Sequence, residues 1–205
     1  MVKPVYSQHF EAVRSRIKRL PQLLQAEVEN LSYNDAVRLV ELFKDGIKKR
    51  NFHTPLKQLK PDTIKSKERR NYVSPENPLY GTFRYKNRFN NMMGIFRDGQ
   101  RWIVKPRDGK YHPRKNKDGE AVESTLTLAQ MFDVHEYGAT IAGKTRSGTA
   151  MRIRIPPRPA FRYAYNILMR EKARNDDAEK LREKIRVYID TGRWKSAARR
   201  NLKDT

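Results

Sequence analysis

The sequence contains no cysteine. That absence excludes disulfide-stapled folds, thiolate metal sites, iron–sulfur clusters and thiol nucleophiles. No apolar run approaches the ~20 residues of a membrane span, and the first residues lack the apolar stretch of a secretory signal, so we expect a protein made in the cytoplasm and not bound to a membrane. Glycine and proline occur at ordinary levels, 10 and 11 residues, which excludes a collagen-like or low-complexity chain.

Acidic residues are also scarce. Against 45 Lys and Arg there are 23 Asp and Glu, which leaves a formal net charge of +22 over 205 residues. Such a charge attracts phosphate backbones or acidic protein surfaces over a Debye length of roughly 10 Å, and it opposes folding by self-repulsion. We therefore expect a partner that neutralises part of it.

The most basic stretch, residues 84–117, interleaves cations with aromatic residues and has only Asp98 and Asp108 as acids. One interpretation is a groove that follows a phosphate backbone and stacks on bases. The other is a hairpin whose aromatics face the core while its cations are solvated. We favour the second, because the aromatics alternate with polar residues as a strand requires.

Apolar spacings of three and four residues predict helices in the first third of the chain. The first helix carries an apolar stripe over 10–20 and ends or kinks at Pro21. Asn34 or Ser32 is the predicted N-cap of a second helix over 36–47. The remaining predicted elements are loops at 51–60, 70–80 and 105–124, short helices at 61–69, 84–93 and 126–137, hairpins about 98–99 and 147–148, and helices on either side of a break at 174–177.

These elements predict an α+β fold, with a small antiparallel sheet of hairpins, flanking helices and a C-terminal helical extension. Residues 1–50 are expected to form N-terminal helices that pack on the core. Residues 51–173 form the α+β core with its exposed loops. Residues 174–205 form a basic helical extension, with a peripheral last dozen residues, and the whole is one domain.

One segment, from Gly138 to Thr145, matches the phosphate-loop pattern GxxxxGK[ST]. A nucleotide site of that kind needs an apolar strand before the first glycine and a helix after the threonine, so that helix N–H groups meet the phosphates. Here the residues that follow alternate as a strand and run into Pro156 and Pro157. The segment is therefore interpreted as a Gly-rich hairpin, and an NTPase is the disfavoured alternative.

No other pattern predicts an active site. His135 and Glu136 match the start of a zinc-protease motif, but Ala139 stands where the second ligand belongs. Glu27 and Glu29 are interpreted as solvated helix charges rather than a catalytic pair. We therefore predict that the chain is not an enzyme and binds no metal and no cofactor.

Three segments share their order and spacing with one known family. The first runs from Pro55 to Lys67, and the second from Asn77 to Asn87. The third joins His-Glu-Tyr-Gly at 135–138 to Ile-Pro-Pro-Arg-Pro-Ala-Phe at 155–161 across a hairpin. Together these segments resemble the tail-completion and virion-morphogenesis proteins of tailed bacteriophages, which sit at the neck or at the head-proximal end of the tail.

The resemblance implies a structural virion protein, located in the neck or tail, that forms a ring of six copies joining the tail to the head connector. Its partners would be further copies of itself and other neck and tail proteins. We expect acidic surfaces of these neighbours to take more of the positive charge than DNA crossing the ring, because a cationic channel would slow DNA exit. The alternative is a non-enzymatic nucleic-acid-binding protein.

The third segment supplies the candidate assembly-interface residues. Gly138 can adopt the positive φ needed between a helix and a strand, and the prolines stiffen the exit from the sheet. For each residue, support of the local fold within one subunit is an equally good explanation. The candidates are His135, Glu136, Tyr137, Gly138, Pro156, Pro157, Arg158, Pro159 and Phe161.

Overall fold

The structure, a computed structural model, describes residues 5–50, 52, 56–69, 74–77, 79, 91–109, 126–144 and 148–201. These residues confirm the α+β class. No helix among them is long and apolar enough to cross a membrane. In chain order the described elements are α1 (Val5–Lys49), α2 (Pro61–Glu68), β1 (Met93–Asp98), β2 (Arg101–Pro106), α3 (Leu128–Tyr137), β3 (Ala139–Lys144), β4 (Ala150–Ile155), α4 (Ala160–Arg174) and α5 (Asp177–Thr191).

The first two predicted helices are one continuous helix, α1, with Pro21 inside it. A proline in a helix interior removes one hydrogen bond and costs about 3 kcal/mol, which is why the sequence predicted a break. The turn before Pro21 is held from outside: Nη1 of Arg16 donates to the carbonyls of Ile189 and Asp190, at 2.7 and 2.8 Å, where α5 ends. Asn34 therefore lies within α1 and does not cap a helix.

The core lies against the C-terminal half of α1. Val40, Phe43 and Ile47 are fully buried there, at helical spacings of three and four residues. They pack against α4, and Phe161 at the start of that helix contacts both Phe43 and Phe132 of α3 edge-on, with ring centroids 6.2 and 5.7 Å apart. These ring contacts hold the start of α4 against α1 and α3.

Each predicted hairpin forms a separate two-stranded antiparallel sheet. In β1–β2, Trp102 turns toward α1 and meets Tyr33 edge-on at 4.8 Å, while Phe96 lies under the ammonium of Lys105. The predicted hairpin is thus confirmed, but Phe96 and Trp102 lie on its opposite faces, so the expectation that the aromatics face the core is wrong for Phe96. The predicted helix over 84–93 is wrong at Met93, which begins β1, and its residues 84–90 lie outside the described chain.

Residues 193–201, which we call the C-terminal segment, are mostly exposed, in agreement with the prediction of a peripheral end, but they are not helical as the predicted helical extension required. After Gly192 ends α5 with φ of 74°, this segment runs along α1 and is held there by side chains. Asn34 donates to the carbonyl of Ala198 at 3.0 Å and accepts from the backbone N–H of Arg200 at 2.8 Å. Asn30, one turn earlier, donates to the carbonyl of Ala197 at 3.3 Å.

Glu27, interpreted from the sequence as a solvated charge, is instead buried beneath this segment, with 1% of its surface exposed. Its carboxylate accepts from the backbone N–H of Ala197 at 2.9 Å and pairs with the ammonium of Lys184 on α5. A buried carboxylate needs such partners, because desolvation of an unpaired charge costs several kcal/mol. Glu27 therefore ties α1, α5 and the C-terminal segment together.

Candidate assembly site at the base of the second hairpin

Helix α3 carries the predicted residues His135, Glu136 and Tyr137 in its last turn, directly before the second hairpin. The helix begins with a capping box, in which the hydroxyl of Thr127 accepts from the N–H of Gln130 and the Gln130 side chain accepts from the N–H of Thr127. It ends at Gly138, whose φ is +79°. A Cβ at this position would lie 2.9 Å from the carbonyl oxygen of Ile155 and 2.9 Å from the nitrogen of Pro157. Only glycine fits between helix and strand here, as the sequence predicted.

Glu136 caps the next helix. Its two carboxylate oxygens accept from the backbone N–H groups of Phe161 and Arg162, at 3.1 and 2.9 Å, in the first turn of α4. Pro159, the residue before α4, offers no side-chain cap of its own. Burial raises the pKa of Glu136, and the two N–H donors oppose that rise. The carboxylate therefore replaces a local N-cap and fixes α3 to α4.

Arg158 joins the same junction from the proline-rich exit of β4. Its backbone N–H donates to the carbonyl of His135 at 2.7 Å, and its Nε donates to the carbonyl of Lys57 at 3.3 Å. Only 6% of its surface is exposed. The guanidinium of Arg158 thus binds a carbonyl of its own chain.

Three basic side chains meet around this junction: Lys67 of α2, His135 and Arg158. Burial, and then the positive charges of Arg158 and Lys67, together lower the pKa of His135 to about 4. Burial, followed by repulsion from Arg158, lowers the pKa of Lys67 to about 8. The Lys67 ammonium donates to the carbonyl of Asn77 at 2.6 Å. Imidazole is therefore neutral at pH 7, and this cluster is sensitive to acid.

Asn77, from the second family-like segment, is buried next to the junction. Its side-chain amide donates to the carbonyl of Ile47 at 2.7 Å, near the end of α1, and its side-chain oxygen accepts from the N–H of Leu79 at 3.1 Å. Parts of all three family-like segments, represented by Lys67, Asn77 and Arg158, therefore meet in one place. Neither Lys67 nor Asn77 was singled out from the sequence, because both act through contacts distant along the chain.

The hairpin that rises from this base is exposed on both faces. The register pairs Ile141 with Ile153 and Gly143 with Met151, which places their side chains on one face. Ile141 and Ile153 are each 46% exposed, and Met151 is 38% exposed. The other face carries the exposed cations Arg152 and Arg154. A two-stranded hairpin with a bare apolar face is marginal in water by itself and gains stability from a partner.

Of the nine candidate residues, the structure thus gives several a role within the chain. His135, Glu136, Gly138, Arg158 and Phe161 form the base. Tyr137 remains accessible, at 63% exposure, and the guanidinium of Arg162 lies 5.9 Å from its ring centroid. The others, Pro156, Pro157 and Pro159, form the extended link to α4.

The phosphate-loop pattern does not form a nucleotide site. Residues 139–144 are strand β3, and the chain re-enters a strand at Ala150, so no helix follows where phosphates would bind. Within the described chain, no group of His, Asp and Glu is arranged to hold a metal ion. No protein-family model, curated protein or solved structure matches this sequence.

Proposed function

We propose that this protein is a non-enzymatic structural component of a tailed-phage particle, which assembles at the neck between tail and head connector. The family-like segments support this proposal, since their described residues form one continuous base under the second hairpin. The observation that carries it is the hairpin itself, whose apolar face lies in solvent. Catalysis does not need such a surface, whereas assembly does.

The apolar face supplies the driving force for docking. Fully burying an Ile or Met side chain stabilises a complex by about 1.5–3 kcal/mol, and Ile141, Met151 and Ile153 are already partly covered. Each therefore contributes about 1 kcal/mol when a partner covers it. A few such residues at the centre of an interface dominate its binding energy.

The rigid base reduces the entropy lost on docking. Gly138 admits no other residue, Glu136 locks α3 to α4, and Arg158 fixes the strand exit by bonds to His135 and Lys57. An arm held in one orientation loses less freedom when it binds than a loose one. On the reverse face, Arg152 and Arg154 fit the acidic neighbours that a chain of net charge +22 attracts.

The test is incorporation into particles. Phage lacking the natural gene are complemented with the wild type, with the double variant Ile141→Asn/Ile153→Asn, or with Thr140→Asn/Ala142→Asn. The control also changes two residues of the hairpin and leaves its charge unaltered, but its substitutions lie on the opposite face in the register. We expect wild type and control in purified particles, and the apolar-face variant in the unbound fraction with heads and tails unjoined.

Circular dichroism confirms first that all three proteins are folded, as expected for substitutions at exposed positions. If the wild type is absent from finished particles, the proposal is wrong. It is also wrong if both double variants are incorporated equally, because the apolar face then contributes nothing to assembly.

A further inference from the structure

A second feature lies away from the hairpin base, where the C-terminal segment passes β1–β2. A cavity of about 410 Å³ opens there between α1, the first hairpin and the C-terminal segment. It is lined by Tyr33, Ile95, Trp102, Arg107, Arg199, Arg200 and Asn201. The lining contains arginines from two separate parts of the chain and no acidic residue.

The arginines of the C-terminal segment are held in place. Asn34 binds the backbone on both sides of Arg199, through the carbonyl of Ala198 and the N–H of Arg200. The guanidinium of Arg199 also lies 5.6 Å from the ring centroid of Tyr33 and 5.8 Å from that of Trp102. Side chains positioned before a ligand arrives lose little entropy when they bind it.

The positive charge of the cavity is only partly compensated. The single carboxylate of Glu29 forms ion pairs with two guanidinium groups, those of Arg97 and Arg199, each at 3.2 Å. Arg107 makes one long bond, from its Nε to the carbonyl of Met93 at 3.4 Å. Arg200 donates no side-chain hydrogen bond to any residue in the described part of the chain.

The nearby carboxylate of Glu171 does not supply the missing acceptor. Its pKa is lowered chiefly by a hydrogen bond from Arg38, and the charge of Arg200 is a lesser cause. Arg38 binds both oxygens of this carboxylate, at 2.9 and 2.6 Å. The guanidinium groups of Arg107 and Arg200 therefore keep donors for a ligand.

We propose that this cavity binds phosphate groups of a nucleic-acid strand. A guanidinium offers planar, paired donors that match phosphate oxygens, and an anion relieves the repulsion between neighbouring arginines. The Tyr33 and Trp102 rings are already approached by guanidinium groups, so the contact is to the backbone rather than to a stacked base. The net charge of +22 draws in an extended polyanion more strongly than a small one.

The site goes beyond the proposed assembly role and does not depend on it. The test measures binding of a fluorescent single-stranded oligonucleotide by anisotropy over a range of salt concentrations. Arg107→Ala/Arg200→Ala is compared with Arg182→Ala/Arg186→Ala, which removes the same charge from exposed positions of α5. We expect a loss of affinity of about tenfold or more for the cavity variant, and less than about threefold for the control.

The salt dependence adds a second readout. Each lost phosphate contact lowers the slope of log affinity against log salt by about 0.7 for a single strand, so the cavity variant should lose about 1.4. Asn34→Ala, which keeps every arginine but releases the C-terminal segment, should also weaken binding about threefold or more, since the arginines are no longer positioned.

Three results would overturn the proposal. Equal losses in the cavity and control variants would mean that only net charge matters. Competition by pyrophosphate at the same phosphate concentration would assign the cavity to small phosphates. Equal competition by a poly-glutamate peptide would show a general attraction for anions.

Discussion

The carboxylate of Glu136 permits a direct test of how the hairpin base is held together. Replacing it by alanine removes the acceptor for the backbone N–H groups of Phe161 and Arg162. A hydrogen bond to a charged group contributes about 1.5–3 kcal/mol, and loss of an N-cap costs about 0.5–2 kcal/mol. The cost of burying the carboxylate, which raises its pKa, offsets part of this gain. We therefore expect Glu136→Ala to lower the free energy of unfolding by about 2–3 kcal/mol.

Urea unfolding, followed by circular dichroism, measures this loss. Glu136→Gln keeps one side-chain oxygen as an acceptor and should cost about half as much as Glu136→Ala. Asp133→Ala is the matched control, because this exposed carboxylate lies on the same helix, α3, and its loss should change stability by less than about 0.5 kcal/mol. If Glu136→Ala were no more destabilising than the control, the Glu136 carboxylate would not hold α4, and the base of the hairpin would not owe its rigidity to this cap.

Three further predictions concern other parts of the fold. Gly138→Ala should lower the free energy of unfolding by about 2–4 kcal/mol in urea. Gly148 also has a positive φ, of +82°, but no atom lies within 4 Å of its Cβ position, so Gly148→Ala should cost only about 1 kcal/mol. Equal costs would contradict the close approach at Gly138. Because the pKa of His135 falls from 6.5 to about 4 on folding, the unfolded chain binds more protons between these values, and stability should fall by up to about 3 kcal/mol from pH 6.5 to pH 4. His135→Gln should flatten this dependence of stability on pH, and an unchanged slope would refute the prediction. The raised pKa of Glu136 changes stability with pH in the opposite direction. Glu27→Gln should speed tryptic cleavage after residues 199 and 200 several-fold, because the buried carboxylate of Glu27 binds the C-terminal segment. The control Glu11→Gln, at an exposed position of α1, should leave the cleavage rate unchanged. Similar rates in the two variants would show that Glu27 does not hold the C-terminal segment.

The sequence predicted the elements that depend on local signals. Alternation of Met, Arg and Ile over 151–155 and the prolines after it predicted β4, and Gly192 predicted the end of α5. Pro61 predicted the start of α2. In each case the signal and the structure it produces lie within a few residues of each other.

Predictions failed where distant contacts decide the outcome. Pro21 predicted a break, but α5 supports the surrounding turns of α1 through Arg16. Glu27, Asn30 and Asn34 repeat every three or four residues on α1, a spacing that places them on one face, yet nothing local indicates that an extended segment docks there. The candidate site was found as a motif, whereas the contribution of Lys67 follows only from the folded chain.

The contact between Arg16 of α1 and the end of α5 has a consequence for synthesis in the cell. The carbonyl that binds Arg16 lies 173 residues further along the chain. At translation speeds of about 5–20 residues per second, the end of α5 is synthesised roughly 10–30 seconds after the N-terminal half of α1, which lacks this partner during that time. During that interval Glu27 and Asn34 lack the partners that the C-terminal segment supplies, so this part of α1 is accessible to chaperones, and a prematurely terminated product stays accessible to proteolytic clearance.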